Sequence, residues 1–179
     1  MQETEMSTLT TAQLRYYEAE YFYYQFIISS GPPCDSYFKM VCYFDAFLFA
    51  VVSVEEMINE SDRDRLRGIE VFRFVKALRN ITVHHSILTA PQPGAKFERP
   101  FSRYIPESIG GAPEDSAKLA IRYNIFRDIF DAIEAERPKE KQMLKTARCY
   151  LSKLECQAQP IFIETVLRDA LIAVKAFVT

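Results

Sequence analysis

Apolar positions along the chain recur mostly every three or four residues, the period of one face of an α-helix. A first helix is predicted over residues 11–29. Thr10 with Gln13 fits a capping box, and Gly31-Pro32-Pro33 ends the run. Its body carries aromatics on more than one face, as in a helix that is central in a bundle or lies in an oligomer interface. The second helix, 35–59, sets Phe38, Val41, Phe44, Phe47, Leu48, Val51 and Val54 at mixed spacings of three and four. Asp45 interrupts that apolar surface, so its carboxylate must be paired, exposed on one edge, or functional. Ser61-Asp62 serves as N-cap for a third helical stretch with Gly68 as a break inside it, and a clear helix follows over 69–85. Further helices are predicted over 125–136, from Pro138 to residue 158, and from Pro160 to residue 178, with each proline in a first turn.

Punctuation gathers in one place. Residues 87–116 hold five prolines and three glycines, a long irregular insertion of the kind used for lids and binding loops. Within it, 96–99 and 102–105 read as a short hairpin, and over 117–124 helix and strand compete because Leu119, Ile121 and Tyr123 alternate with small or polar residues. The expectation is one all-α domain spanning 1–179: an up-and-down bundle of about five to six helices with a loop or lid at 87–116. The whole chain of 179 residues has only 5 glycines, which agrees with helices and leaves little for sheets or phosphate-cradling loops.

A net charge of −2 excludes a global electrostatic grip on nucleic acid, though not a local basic patch. The acidic, polar start has no signal-peptide pattern, and the longest clean apolar run, 46–52, is far short of a bilayer span. A cytoplasmic protein without membrane partners is the expectation. Cys34, Cys42, Cys149 and Cys156 form no C-x-x-C pair and are read as buried thiols acting as small apolar residues. Two histidines without a carboxylate array make a poor metal site, so neither metal nor cofactor is expected.

Chemistry concentrates at the end of the 69–85 helix. His85 follows Phe74, Leu78 and Ile81 down an apolar stripe, where a core or boundary histidine is the plain reading. His84 follows Arg73, Lys76 and Asn80 down a polar one. Asn80, one turn behind His84, can orient an imidazole, or the two are simply surface neighbours. Arg79 borders the apolar face and either covers it with its stem or offers its fork of donors to a phosphate. Residues 62–79 carry six basic and three acidic side chains, a local excess that a solvated face would also show.

The run Arg79-Asn80-x-x-x-His84, preceded by Phe74-Val75-Lys76-Ala77-Leu78, resembles the R-N-x-x-x-H motif of the HEPN superfamily of small all-helical proteins. The resemblance covers residues 10–85, while the later helices agree in type. Many HEPN proteins are metal-independent endoribonucleases, often toxins or antiviral-defence effectors. The resemblance implies that His84 acts as base or acid at the ribose 2′-OH and the leaving oxygen. It implies that Arg79 stabilises the charge at phosphorus and that Asn80 positions His84, giving a 2′,3′-cyclic phosphate. Asp45, with Glu55 or Glu56 behind it, is the candidate for a supporting acid, although pairing of Asp45 with an arginine is an equal reading. Arg73 and Lys76 are the candidate supporting cations. Arg79 and His84 lie about 140° apart on an ideal helix, so a bend or a two-fold homodimer with a composite site would be needed to aim both at one phosphate. RNA, a second copy of the chain and an antitoxin protein are the implied partners. Ser86 stands where some toxin members carry a tyrosine modified by their antitoxin. The competing readings are a catalytically inactive HEPN-like module that binds nucleotide, RNA or a protein partner, and a helical structural protein in which the motif is accidental.

Overall fold

In a computed structural model, residues 9–30, 37–85, 101–104, 118–157 and 161–178 are described. They form seven α-helices in chain order: α1 Thr11–Ser30, α2 Tyr37–Met57, α3 Glu60–Gly68, α4 Glu70–His85, α5 Tyr123–Glu136, α6 Lys141–Glu155 and α7 Ile163–Lys175. The fold is the expected all-α bundle. A single 3-10 turn, Pro138–Glu140, leads into α6, and two short strands, β1 Phe101–Tyr104 and β2 Lys118–Ile121, pair antiparallel.

Local chemistry explains the boundaries. The Thr10 amide donates to Gln13 Oε1 at 2.8 Å and the Gln13 amide donates to Thr10 Oγ1 at 3.2 Å, the reciprocal capping box read from the sequence. The cap of α3 is Asn59 rather than Ser61-Asp62. Asn59 Oδ1 accepts from the Asp62 amide at 3.0 Å and its Nδ2 donates to the Asp62 carboxylate at 2.7 Å, so the helix starts one residue earlier than Ser61. At Gly68 the chain does break, Ile69 is extended, and the predicted stretch becomes two helices. The alternating run at 118–121 resolves as a strand because β1 supplies its partner, with Ser102 opposite Ala120. Residues 101–104 of the expected hairpin pair with 118–121. Residues 96–99 themselves, and most of the 87–116 insertion, lie outside the described residues.

α1 and α2 form an antiparallel hairpin, with Phe26 packed on Phe44 and Tyr23 on Phe47. α5 and α6 form another, stitched by Arg148, which donates to Glu134 and Asp131 at 2.6 Å each. α4 lies between the hairpins and meets α2, α6 and α7. Its Phe74 stacks on Phe126 of α5 and Tyr150 of α6. The fully buried Phe26, Phe44, Phe47, Phe72, Phe74, Phe126 and Phe130 make an aromatic core without tryptophan. Burying a large aromatic contributes about 2–3 kcal/mol each. The ribbon docks on α7, where the Leu119 amide donates to Glu164 Oε1.

Three expectations about surfaces are corrected. Cys42, Cys149 and Cys156 are exposed free thiols, not buried ones, because the apolar seams of their helices run beside them; Cys34 lies outside the described residues. Phe38, counted into the apolar face of α2, is 74% exposed. α1 is not central: it buries Ala12, Tyr16, Ala19 and Phe26 but leaves Leu14, Tyr17, Tyr21, Tyr24 and Ile28 outward. Those five follow a 3-4-3-4 spacing, a continuous stripe on one helical face.

Candidate functional site

α4 carries the motif, and its neighbours divide the motif side chains between two faces. Lys76 and Arg79, three residues apart, turn toward α2. Lys76 Nζ donates to both oxygens of Glu55 at 2.8 and 2.6 Å, and the Arg79 guanidinium lies over the Phe49 ring, 5.0 Å from its centroid. Moving forward along α4 from Lys76 to Arg79 thus means moving back along α2 from Glu55 to Phe49, so the two helices are antiparallel. Asp45, one turn before Phe49, is then level with the last turn of α4, through which the main chain of His84 passes. The side chains of Val83, His84 and His85 lie outside the described residues.

Asn80 turns toward α6. Its Oδ1 accepts from Arg79 Nη1 at 3.2 Å and its Nδ2 donates to the Met143 sulfur at 3.2 Å. Arg73, two turns back on the same side, is exposed. Of the predicted site residues, the structure brings Arg79 and Asn80 into direct contact and sets Asp45 at their end of the bundle. It assigns Lys76 to Glu55 and leaves Arg73 about 10 Å down the helix.

Most cations of the 62–79 cluster have structural work. Arg63 donates to the main-chain oxygens of Glu55, Glu56 and Ile58, closing the C-terminal end of α2. Arg65 pairs with Asp62 and covers Phe177; Arg67 Nε meets Glu55 at 2.5 Å. Arg79 differs. Among the described residues no carboxylate lies within ion-pair distance of it, and its Nε is buried with no hydrogen-bond partner. A buried donor without an acceptor costs about 1–3 kcal/mol.

Two further polar atoms at this level are also unpartnered, Asp45 Oδ1 and the buried hydroxyl of Thr82. Among the described residues no arginine is paired with Asp45. Its burial pushes the carboxyl up to about 6. Glu55 behaves oppositely: burial raises its pKa, but the bonds from Lys76 and Arg67 outweigh that and hold it below the ordinary value. Two acids on one helix thus differ in proton affinity, and only Asp45 is tuned near the range of a proton-transfer group.

Sequence reasoning placed Glu55 behind Asp45 without seeing its role as the ion-pair hub, and it missed Phe49 as the shelf under Arg79. The signal was available for Phe49: seven residues after Cys42, it shares that residue's outer face of α2. Among the described residues no group of three histidine, cysteine or acidic side chains is arranged to hold a metal ion, and no helix is long and apolar enough to cross a membrane. No family model, curated protein or solved structure matches the chain.

Proposed function

We propose that the protein is a metal-independent endoribonuclease of HEPN type, acting as a homodimer in toxin or defence fashion. The observation that carries this reading is Arg79: a half-buried guanidinium against an aromatic face and Asn80, with no acid paired to it among the described residues. Such a group is suited to a phosphodiester, whose charge grows on the way to a five-coordinate phosphorus. On this reading His84, in the last turn of α4, takes the proton from the ribose 2′-OH, and its partner copy returns one to the leaving 5′ oxygen. Asn80 keeps the guanidinium aimed, rather than acting only on His84. Asp45, near neutrality, assists proton movement at the same end.

The outward stripe of α1 supports the homodimer. Its Tyr24–Ile28 end is level with Asp45, since α1 and α2 run antiparallel. Half-exposed tyrosines and two aliphatics offer roughly 500 Å² per copy, or about 1,000 Å² for a two-fold pair, the lower bound for a specific interface.

Cleavage of single-stranded RNA in EDTA is the test, with products expected as 2′,3′-cyclic phosphate and 5′-OH ends. His84→Ala and Arg79→Gln should each abolish cutting while leaving the thermal transition in place, and Tyr21→Glu should yield monomers in light scattering that no longer cut. RNA binding with no cutting by the wild-type dimer would instead favour the inactive binding module.

A further inference from the structure

Two cations of the described residues line the α4–α6 groove: Arg73 on α4 and Lys145 on α6. They line an open cleft of about 240 Å³ together with Gln142, Thr146, Cys149 and Tyr150. The one carboxylate in its lining, Glu70, is ion-paired with Lys153 from α6 and also feels the charge of Arg73, so three cations surround one acid. Burial pushes the Tyr150 hydroxyl up to about 12, leaving it a donor throughout the physiological range. The Gln142 side-chain amide can also donate, while the Thr146 hydroxyl donates to the Gln142 main-chain oxygen at 3.3 Å. A cleft with this excess of positive charge and donors beside it has the chemistry of an anion site.

The groove continues to the motif. Moving along α4 from Arg73 to Asn80 is a rise of about 10 Å, and Asn80 reaches across the same groove to Met143 of α6. A stacked strand advances about 3.4 Å per nucleotide, so that distance corresponds to about three nucleotides.

We propose that the Arg73–Lys145 cleft is a phosphate subsite for single-stranded RNA, holding a backbone phosphodiester about three nucleotides from the one at Arg79. The inference rests on the ribonuclease reading for the strand's course, while the cleft's own chemistry does not depend on cutting. Its contribution is affinity and register. Phosphate contacts position a strand without reading its bases, so the subsite acts alike on all sequences.

The experiment uses full-length His84→Ala protein and a fluorescent 12-nucleotide single-stranded RNA, with and without Arg73→Gln/Lys145→Gln. Removing both charges is expected to weaken binding at least tenfold at 50 mM salt and to lower the slope of log K against log salt by about 0.7–1.4, one to two phosphates' worth. In a wild-type background the same pair should raise KM tenfold or more with kcat nearly unchanged. A Lys145→Arg variant should retain binding. Unchanged affinity and slope in the doubly substituted protein, or no RNA binding by the parent, would overturn the subsite. Wild-type protein that binds RNA through Arg73 and Lys145 but never cuts it would overturn the ribonuclease reading and leave the subsite standing.

Discussion

Asp45→Asn offers a quantitative test of the α2–α4 junction. The carboxyl titrates at 3.8 in an unfolded chain and at about 6 in the folded protein, because burial without a partner penalises its charged form. The folded state therefore holds the proton more tightly. Asp45 contributes its full stability below pH 3.8, and that contribution is lost as pH rises through 6. A shift of about two units corresponds to about 3 kcal/mol at complete burial. The side chain is only partly buried, and solvent screening reduces the figure to about 1–1.5 kcal/mol. Asparagine has nearly the same shape as the protonated acid and cannot ionise. Urea unfolding of both proteins at pH 4, 5, 6 and 7.5 should give equal stabilities at pH 4 and an advantage for Asp45→Asn that grows to about 1–1.5 kcal/mol at pH 7.5. Differencing the two proteins removes every other titrating group. If the substitution costs stability at pH 7.5, or its effect does not vary with pH, Asp45 is paired or solvated and the reasoning fails. On the proposed function the same variant should cut RNA more slowly while being more stable, since a charge kept at a cost serves the site rather than the fold.

Two other substitutions probe the anchoring of α4. Glu55→Gln, which disconnects Arg67 and Lys76, should lower stability by about 2 kcal/mol at pH 7; the full buried-pair cost is not reached because both cations are accessible to water. Since the folded carboxyl of Glu55 is held below 4.5, its contribution is present above that value and disappears as pH falls further, so the two proteins should converge in acid urea titrations near pH 3. Phe49→Leu, which removes the ring under Arg79, should cost under about 1 kcal/mol in the melting transition. It should reduce kcat for RNA several-fold with little change in KM, and an unaltered kcat would deny the ring its aiming role.

The sequence made the helices legible because three different signals agreed: the 3.6-residue apolar period, the Thr10–Gln13 box and the proline before α6. It also singled out Arg79 and Asn80, whose side chains do touch. What periodicity could not show is partnership across elements. Glu55 and Asp45 are both acids on the inner part of α2, and only the positions of Lys76 and Arg67 make one an ion-pair hub and the other an orphan. The same limit applied to 118–121, whose strand state depends on β1, and to Phe38 and the α1 stripe. An amphipathic pattern reports how much apolar surface a helix has, not which part of it a neighbour covers.

The two ends of α4 are held by forces of different rank. Near its start, Lys76 is locked to a buried carboxylate that also binds Arg67 of the preceding helix, so rotating this part of α4 breaks a three-member charged network. Three residues later, Arg79 and Asn80 make a contact with an aromatic face, one charge-assisted hydrogen bond to each other and a sulfur contact. The polar grip on α4 is therefore an ion-pair network at Lys76 and lighter contacts at Arg79 and Asn80, over apolar side chains buried from Phe74 to Ile81. A strand that supplies an acceptor to the Arg79 Nε can reseat the guanidinium for about the energy of one hydrogen bond, without disturbing the core beneath Phe74. Amide exchange should register that mechanical gradient, slow at Val75 to Leu78 and sensitive to bound RNA from Arg79 onward.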